Sequence, residues 1–547
     1  MDEGTLLQWL NTIFDRQFKL TPRVGSCLRQ FTDDGCDLGQ VYGYLRPWIS
    51  RTTTEEEFSM LPDMMKDSKV RDFQLRSTAI ENNRIVRPEL PPRRVWDLYA
   101  NRVLPFYALS PLPAHWTLPR KLWAVSHSWV APSDRQYVLT AVNGRAWHVP
   151  IPRGATLDSI RDELLLLGAE YVFLDVLCLR QKDDLFPQFE GVRKREWRLD
   201  VPTIGHVYNT KDVRPVIVYF NGLGLPFRDG GTNEGDKFHW FNRVWTTQEW
   251  PMYIIPGGLD HTVGAIGRWK VFAETDEPPR WASAEFFRHF VSIGEKLRGK
   301  SVHLDGYLKV LQTRFCANPI DQVSCLAYLL RCPTLPIYDA DMEVEVAWSL
   351  LMECLPREEL TSLLVSDFDP TIRPTDMWQP TWKQLNSNAI FRYPFDTTLH
   401  AVDAHHVAHR RDPLLEYLDG SSPDAGFRYG YDAYYNKAFV IQGCKFSFDD
   451  NLNSLVEVPF GAGSETKSYR ISMSRRVTSI GHNTAYLLIN FTGGIYWLIA
   501  RQEGIRWIKN ENAIEVSKVS VATFREEVQF SSPPVDREGC LMPIVYR

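Results

Sequence analysis

From Arg93 to about Asp260, apolar runs of strand length alternate with stretches in which apolar residues recur every three or four positions. That alternation predicts a parallel sheet covered by helices. The strand candidates are KLWAVSHSW (Lys121 to Trp129), YVFLDVLCL (Tyr171 to Leu179) and VRPVIVYF (Val213 to Phe220). Their near-continuous hydrophobicity suits strands buried on both faces. Between the first two, TLDSIRDELLLLG offers Thr156 as a cap, Leu157, Ile160, Leu164 and Leu167 on one face, and Gly168 as a stop. Between the second and third, Trp197, Val201, Ile204 and Tyr208 keep helical spacing, and Pro202 is expected to kink or restart that helix. FNRVWTTQEW (Phe241 to Trp250) then follows as the next crossover helix or its equivalent. Its Phe241, Val244, Trp245 and Gln248 fall three and four apart, and Glu249 stands beside that face.

The flanking regions have other textures. Residues 1–92 read as mainly helical and end in the Pro-rich RPELPPRR, a domain boundary. Residues 93–260 form the α/β region, and residues 261–390 read as further helices, for example SAEFFRHFVSIGEKL and MEVEVAWSLLMECL. Residues 391–547 are expected to form a β-rich C-terminal domain, in which AYLLINF and IYWLIA flank TGG as a hairpin signal.

Composition narrows the class of protein. With 547 residues, 44% hydrophobic and 24% charged, the chain belongs with globular proteins of several domains. Its net charge of -5 supplies no electrostatic reason to expect nucleic acid or an anionic membrane as partner. No apolar run approaches the roughly 20 residues of a membrane helix, and the first residues lack a signal-peptide pattern, so a cytoplasmic location is expected. The nine Cys are scattered without a C-x-x-C framework, as reduced thiols would be.

Some stretches invite a chemical reading. Asp175 interrupts the apolar run YVFLDVLCL, where an unpaired carboxylate costs roughly 2 to 5 kcal/mol. It therefore needs a partner or a place at the strand's carboxyl end, where open parallel sheets bind ligands. Capping a neighbouring helix or pairing with an Arg is the structural alternative. His405 and His409 have the spacing of a zinc helix, but His406 stands where a metalloprotease needs Glu, so no metal is assigned. Cys178, among apolar strand residues, reads as an inert buried thiol. NGLGLPFRDGG (Asn221 to Gly231) matches neither a phosphate loop nor a dinucleotide fingerprint and reads as a loop.

Taken in order, four blocks resemble the fungal heterokaryon-incompatibility (HET) domain. The family's Y-A-L-S-Y-x-W-G is similar to Trp123-Ala124-Val125-Ser126-His127-Ser128-Trp129-Val130, and its W-I-D-A-I-C-I-N-Q to Phe173 through Gln181. A helix ending in I-Y resembles Ile204 to Tyr208, and W-F-x-R-x-W-x-x-Q-E matches Trp240, Phe241, Arg243, Trp245, Gln248 and Glu249. ANPIDQVSCLAYLL (Ala317 to Leu330) resembles a segment that often follows this domain. The resemblance covers about residues 93–385. Val130 replaces the family's Gly and Arg180 its Asn, so a role that depends on that Gly's backbone freedom or on that amide is not carried over from the family.

HET domains in turn resemble TIR domains, flavodoxin-like modules of immune signalling, some of which cleave NAD+. Phe173, Asp175, Leu179 and Arg180 follow the TIR pattern F-x-D-x-x-x-L-x-R-G, with Gln181 in place of Gly. Trp245 and Glu249 keep the spacing of W-C-L-D-E, whose Glu is catalytic in plant TIR domains. The resemblance implies a flavodoxin/TIR-like parallel sheet flanked by helices, and a role in non-self recognition and programmed cell death. It implies Glu249 as catalytic carboxylate, with Ser126, Trp129, Asp175, Arg180 and Trp245 around NAD+ as substrate, and no cofactor. Two readings stay open: an NAD+ glycohydrolase, or a non-enzymatic signalling scaffold that self-associates or binds a partner signalling protein.

Overall fold

The computed structural model describes residues 2–50, 52–109, 122–208, 216–229, 236–250, 254–259, 282–298, 303–366 and 379–387, a few single positions, and seven strands between 434 and 546. His405 to His409 lie outside the described residues. The chain divides into two compact units, Met1–Leu355 and Pro356–Arg547.

The first unit begins with helices α1 (Glu3–Phe14), α2 (Pro22–Asp33), α3 (Leu38–Leu45) and α4 (Glu55–Ser77). Each opens on a side-chain cap, from Asp2, Thr21, Asp37 and Thr54 in turn, which satisfies donors that the first helical turn leaves without partners. Leu6, Leu10, Val24, Leu28, Val41, Leu45 and Phe58 close a core among them. Short strands β1 (Ile80–Glu81) and β2 (Arg84–Ile85) turn the chain toward the main sheet, and β2 also pairs with Leu335–Pro336.

The main sheet is mixed rather than purely parallel. Strands β3 (Arg94–Asp97) and β4 (Arg102–Pro105) form an antiparallel hairpin at one edge. β5 (Leu122–His127) follows, and then a separate antiparallel pair, β6 (Arg135–Leu139) and β7 (His148–Pro152). After helix α5 (Leu157–Leu166) come β8 (Tyr171–Leu174), the helical turn α6 (Asp175–Cys178), α7 (Glu190–Asp200), α8 (Gly205–Tyr208), β9 (Val216–Tyr219) and β10 (Ile254–Pro256). The spatial order is β10-β9-β5-β8-β3-β4, with β10, β9, β5 and β8 mutually parallel. The hairpin was invisible as such because VWDLYANRVL carries no strong two-residue turn signal; Asn101 supplies the bend at φ +49°.

Local expectations largely hold within this frame. Thr156 caps α5, Leu157, Ile160 and Leu164 are buried on its inner face, and Gly168 ends the turn at φ +92°. Pro202 falls in the break between α7 and α8, where it removes a helical donor. The strand expected over Tyr171 to Leu179 stops at Leu174, because Asp175 turns the backbone and takes up the Val176 N–H at 2.7 Å. FNRVWTTQEW is not an α-helix: it makes two 3₁₀ turns, Trp240–Asn242 and Trp245–Thr247, separated by an extended Arg243. Its spacing signalled burial correctly but not helix type. Arg243 is extended because it bridges in parallel to Phe315, whose N–H donates to Asn242 at 2.6 Å.

Among the described residues of the second unit are helices Arg357–Val365 and Trp382–Leu385 and a seven-stranded sheet. Leu487 to Ile489 pair antiparallel with Ala500 to Leu498, and the TGG expected to turn a hairpin lies outside the described residues. No helix among the described residues is long and apolar enough to cross a membrane.

The N-terminal helices meet the sheet through one buried charge pair. Asp97, fully buried at the end of β3, accepts Arg46 Nε at 3.1 Å and Nη2 at 3.0 Å, and the Tyr99 and Ala100 N–H groups. Beside it, Gly43 lets α3 approach so closely that a Cβ would lie 2.7 Å from Leu104 Cδ1. Replacing Arg46 by Met strands the Asp97 carboxylate. Urea denaturation of Arg46→Met is expected to show a loss of about 3 to 5 kcal/mol, as for other broken buried pairs.

Candidate functional site at the carboxyl ends of the parallel strands

Parallel strands bring all their carboxyl ends to one edge of the sheet, and four polar groups accumulate there. Ser126 and His127 are the last residues of β5, Asp175 is the first residue beyond β8, and Glu249 lies between β9 and β10. Sequence separation is large, but the register is tight: Val125 pairs with Leu174, and Ser126 and His127 with Val218 and Tyr219.

Glu249 is 8% exposed. Its Oε2 accepts the Ser126 hydroxyl at 2.5 Å, the only hydrogen bond made by that carboxyl among the described residues. Ser126 Oγ in turn accepts the Trp240 indole N–H at 2.7 Å. Ser126 is fully buried, so its hydroxyl is committed to Glu249 and Trp240 and acts on the carboxyl group, not on a ligand. Tyr208 closes the wall behind it by donating to the Val125 carbonyl at 3.0 Å.

His127 was not foreseen as a site residue. Both of its ring nitrogens face oxygen acceptors, Nδ1 the Ser128 carbonyl at 3.2 Å and Nε2 the Asp175 Oδ1 at 2.7 Å. An imidazole donates from both nitrogens only as the imidazolium. Asp175 also accepts the Val176 N–H on Oδ1 and the Trp129 indole N–H on Oδ2 at 3.3 Å, which keeps it ionised. Burial opposes both charges, yet the ion pair outweighs it: the His127 pKa is raised and that of Asp175 lowered. The Trp129 ring stacks on His127 with centroids 5.9 Å apart. The available signal was a polar residue ending a buried strand, next in chain order before the strand that leads to an unexplained Asp.

Burial, first, and the neighbouring charge of Asp175 push the Glu249 carboxyl up to about 7, while the Ser126 hydrogen bond, His127 and Arg243 pull it down. Glu249 is thus poised to exchange a proton near neutral pH. Cys178 is the inert thiol expected, its pKa pushed up to about 12 by burial.

The structure brings Ser126, Trp129, Asp175 and Glu249 together and leaves Arg180 and Trp245 elsewhere. Arg180 lies 5.1 Å from the Trp147 ring centroid and 3.7 Å from Glu196 Oε2. Trp245 donates to Asp321 and meets the Tyr338 ring at 5.9 Å. Among the described residues neither bonds Ser126, Asp175 or Glu249. Gln181, which departs from the TIR pattern, donates to the Asp175 and Leu179 carbonyls and pins the turn after β8. Val130, where the HET block has Gly, packs where a Cβ on Gly222 would come within 2.7 Å of its Cγ1.

In comparisons with known proteins, no family model matches the chain, and no curated protein or solved structure matches it.

Glu249 carries a readable linkage. Its pKa lies above the ordinary 4.5, so between about 4.5 and about 7 the folded chain holds a proton that the unfolded chain releases. Stability contributed by the protonated form is present below that window and falls as pH rises through it. Glu249→Gln keeps an acceptor for Ser126 without the charge. Denaturant titrations are expected to show the variant gaining on the wild type as pH rises from about 4.5 to about 7, by up to about 3 kcal/mol, and keeping that gain at higher pH.

Proposed function

We propose that the α/β unit is a HET-type, TIR-like signalling domain whose Glu249 cleaves the nicotinamide N-glycosidic bond of NAD+ in fungal non-self recognition and cell death. The observation that carries the proposal is the Glu249 carboxyl, buried at the carboxyl ends of the parallel strands and poised near neutral pH. The order of the parallel strands supports a flavodoxin-like assignment: numbered along the chain, β8-β5-β9-β10 run 2-1-3-4. In such sheets ligands bind where the order reverses, and here that is the end of β5. The β-rich C-terminal domain is proposed with it as a separate module.

In this mechanism the C1′–N bond breaks, its electron pair leaves with neutral nicotinamide, and the ribose becomes oxocarbenium-like. The ionised Glu249 stabilises that cation and accepts the proton released when water adds at C1′. Ser126 and Trp240 hold the carboxyl group in place.

The alternative is a scaffold in which the same network only ties β5 to residues 240–249. It is favoured by the full burial of Ser126, since a buried hydroxyl–carboxyl contact also serves packing.

The purified 547-residue chain incubated with NAD+ is expected to release nicotinamide, and Glu249→Gln to lower the rate by about 100-fold or more. Release should rise with pH through about 7, as the carboxylate ionises. Equal release from both proteins removes Glu249 from the chemistry, and no release from self-associated wild type favours the scaffold.

A further inference from the structure

Arg314 is a buried guanidinium behind the segment that carries Glu249. Among the described residues no carboxylate pairs with it, its Nη2 has no hydrogen-bond partner, and the one ionisable neighbour that favours its charge is the Cys325 thiol. Burial lowers its pKa to about 10, so it stays charged at neutral pH. A lone buried cation costs stability, and the reason for its place must lie in what it donates to.

Its Nη1 serves two acceptors, the Arg243 carbonyl at 3.0 Å and Thr246 Oγ1 at 3.1 Å. The Thr246 hydroxyl has one proton and two oxygens in reach, the Trp240 carbonyl at 2.7 Å and the Arg243 carbonyl at 2.8 Å. Arg314 already supplies the second, which leaves the proton to the Trp240 carbonyl, whose other donor, the Arg243 N–H, stands 3.4 Å away. Thr246 thereby ties the second 3₁₀ turn of the segment to the first. The backbone bonds to Phe315 reach only Asn242 to Val244 and do not make that tie.

Trp240 carries the chain on to the carboxyl group. Its indole N–H occupies Ser126 Oγ at 2.7 Å, so the single proton of the serine is left for Glu249 Oε2 at 2.5 Å. Oε2 is then an acceptor in both states of Glu249, and the proton that the carboxyl group gains and loses sits on Oε1.

We propose that Arg314 is a positioning residue for Glu249. Acting through Thr246, Trp240 and Ser126, it fixes which carboxyl oxygen accepts the serine hydroxyl and which takes the proton. The inference rests on the function proposed above only where it concerns turnover; the hydrogen-bond chain is tested without NAD+.

The Glu249 titration is read as the difference in urea stability between each protein and its Glu249→Gln counterpart across pH, on the 547-residue chain. His127, Asp175, Arg243, Tyr208 and Cys325 are the other ionisable groups coupled to Glu249, and all stay in place. The serine hydrogen bond favours the ionised carboxyl group, so loosening it raises the midpoint. Arg314→Met, which strands no anion, and the isosteric Thr246→Val are each expected to move it up from about 7 by about one pH unit. Thr246→Val carries the test should Arg314→Met not fold. Thr246→Val/Arg314→Met should move the midpoint no further than either change alone, as members of one chain do, and Arg314→Lys should recover part of the shift. With NAD+, the same variants should lower kcat at pH 7 about fivefold, the matching fall in ionised fraction, with KM unchanged. A midpoint unmoved in either folded single variant, or shifts that add in the double variant, overturns the proposal. Shifted midpoints together with no nicotinamide release from wild type support the chain and count against the reaction alone.

Discussion

A carboxyl group taken out of water must find donors inside the protein, and Glu249 finds Ser126. That one contact spans 123 positions and joins the end of β5 to the segment between β9 and β10. It requires β5 to run parallel to β9 and β8, so that the ends of all three meet. It also requires residues 240–249 to fold back in tight turns, since an α-helix there would carry Glu249 along its axis. Trp240 then has a defined task, as the donor that completes the Ser126 hydroxyl.

The segment bearing Glu249 is held from its other side by chain that comes much later. Arg243 bridges Phe315, Cys325 Sγ donates to the Val244 carbonyl at 3.6 Å, and Trp245 closes on Asp321 and Tyr338. The segment ANPIDQVSCLAYLL thus acts on the site without entering it. Its buried Asp321, raised to about 6 by burial, accepts the Tyr338 hydroxyl and the Trp245 indole. A division of the chain near residue 260 would separate Glu249 from half of its support, in keeping with one compact unit to Leu355.

The two charged constellations at the strand ends are electrostatically linked. The His127–Asp175 pair is close to neutral as a unit, yet its two members act on Glu249 in opposite senses. His127 contributes stability that is present below its ordinary 6.5 and lost as pH rises through its raised folded value; Asp175 contributes stability present above its ordinary 3.8 and lost as pH falls through its lowered one. Between those limits the pair fixes Trp129 and so the platform on which Arg135 rests.

Periodicity and turn chemistry determined what is local. The cap at Thr156, the stop at Gly168, the break at Pro202 and the three buried strands each depend on neighbours a few residues away, and each was legible. Asp175 was legible as a problem, since a carboxylate in an apolar run demands a partner, but His127 as that partner was not. Only the tertiary structure decided the pairing of β3 with β4, the 3₁₀ turns of FNRVWTTQEW, and which of the candidate side chains meet. Arg180 and Trp245 share motifs with Asp175 and Glu249, yet they point into other contacts, because neighbours along a turn diverge by the width of the chain. Whether a carboxyl group is solvated or poised depends on burial and on charges dozens of residues away, and neither quantity exists until the strands are side by side.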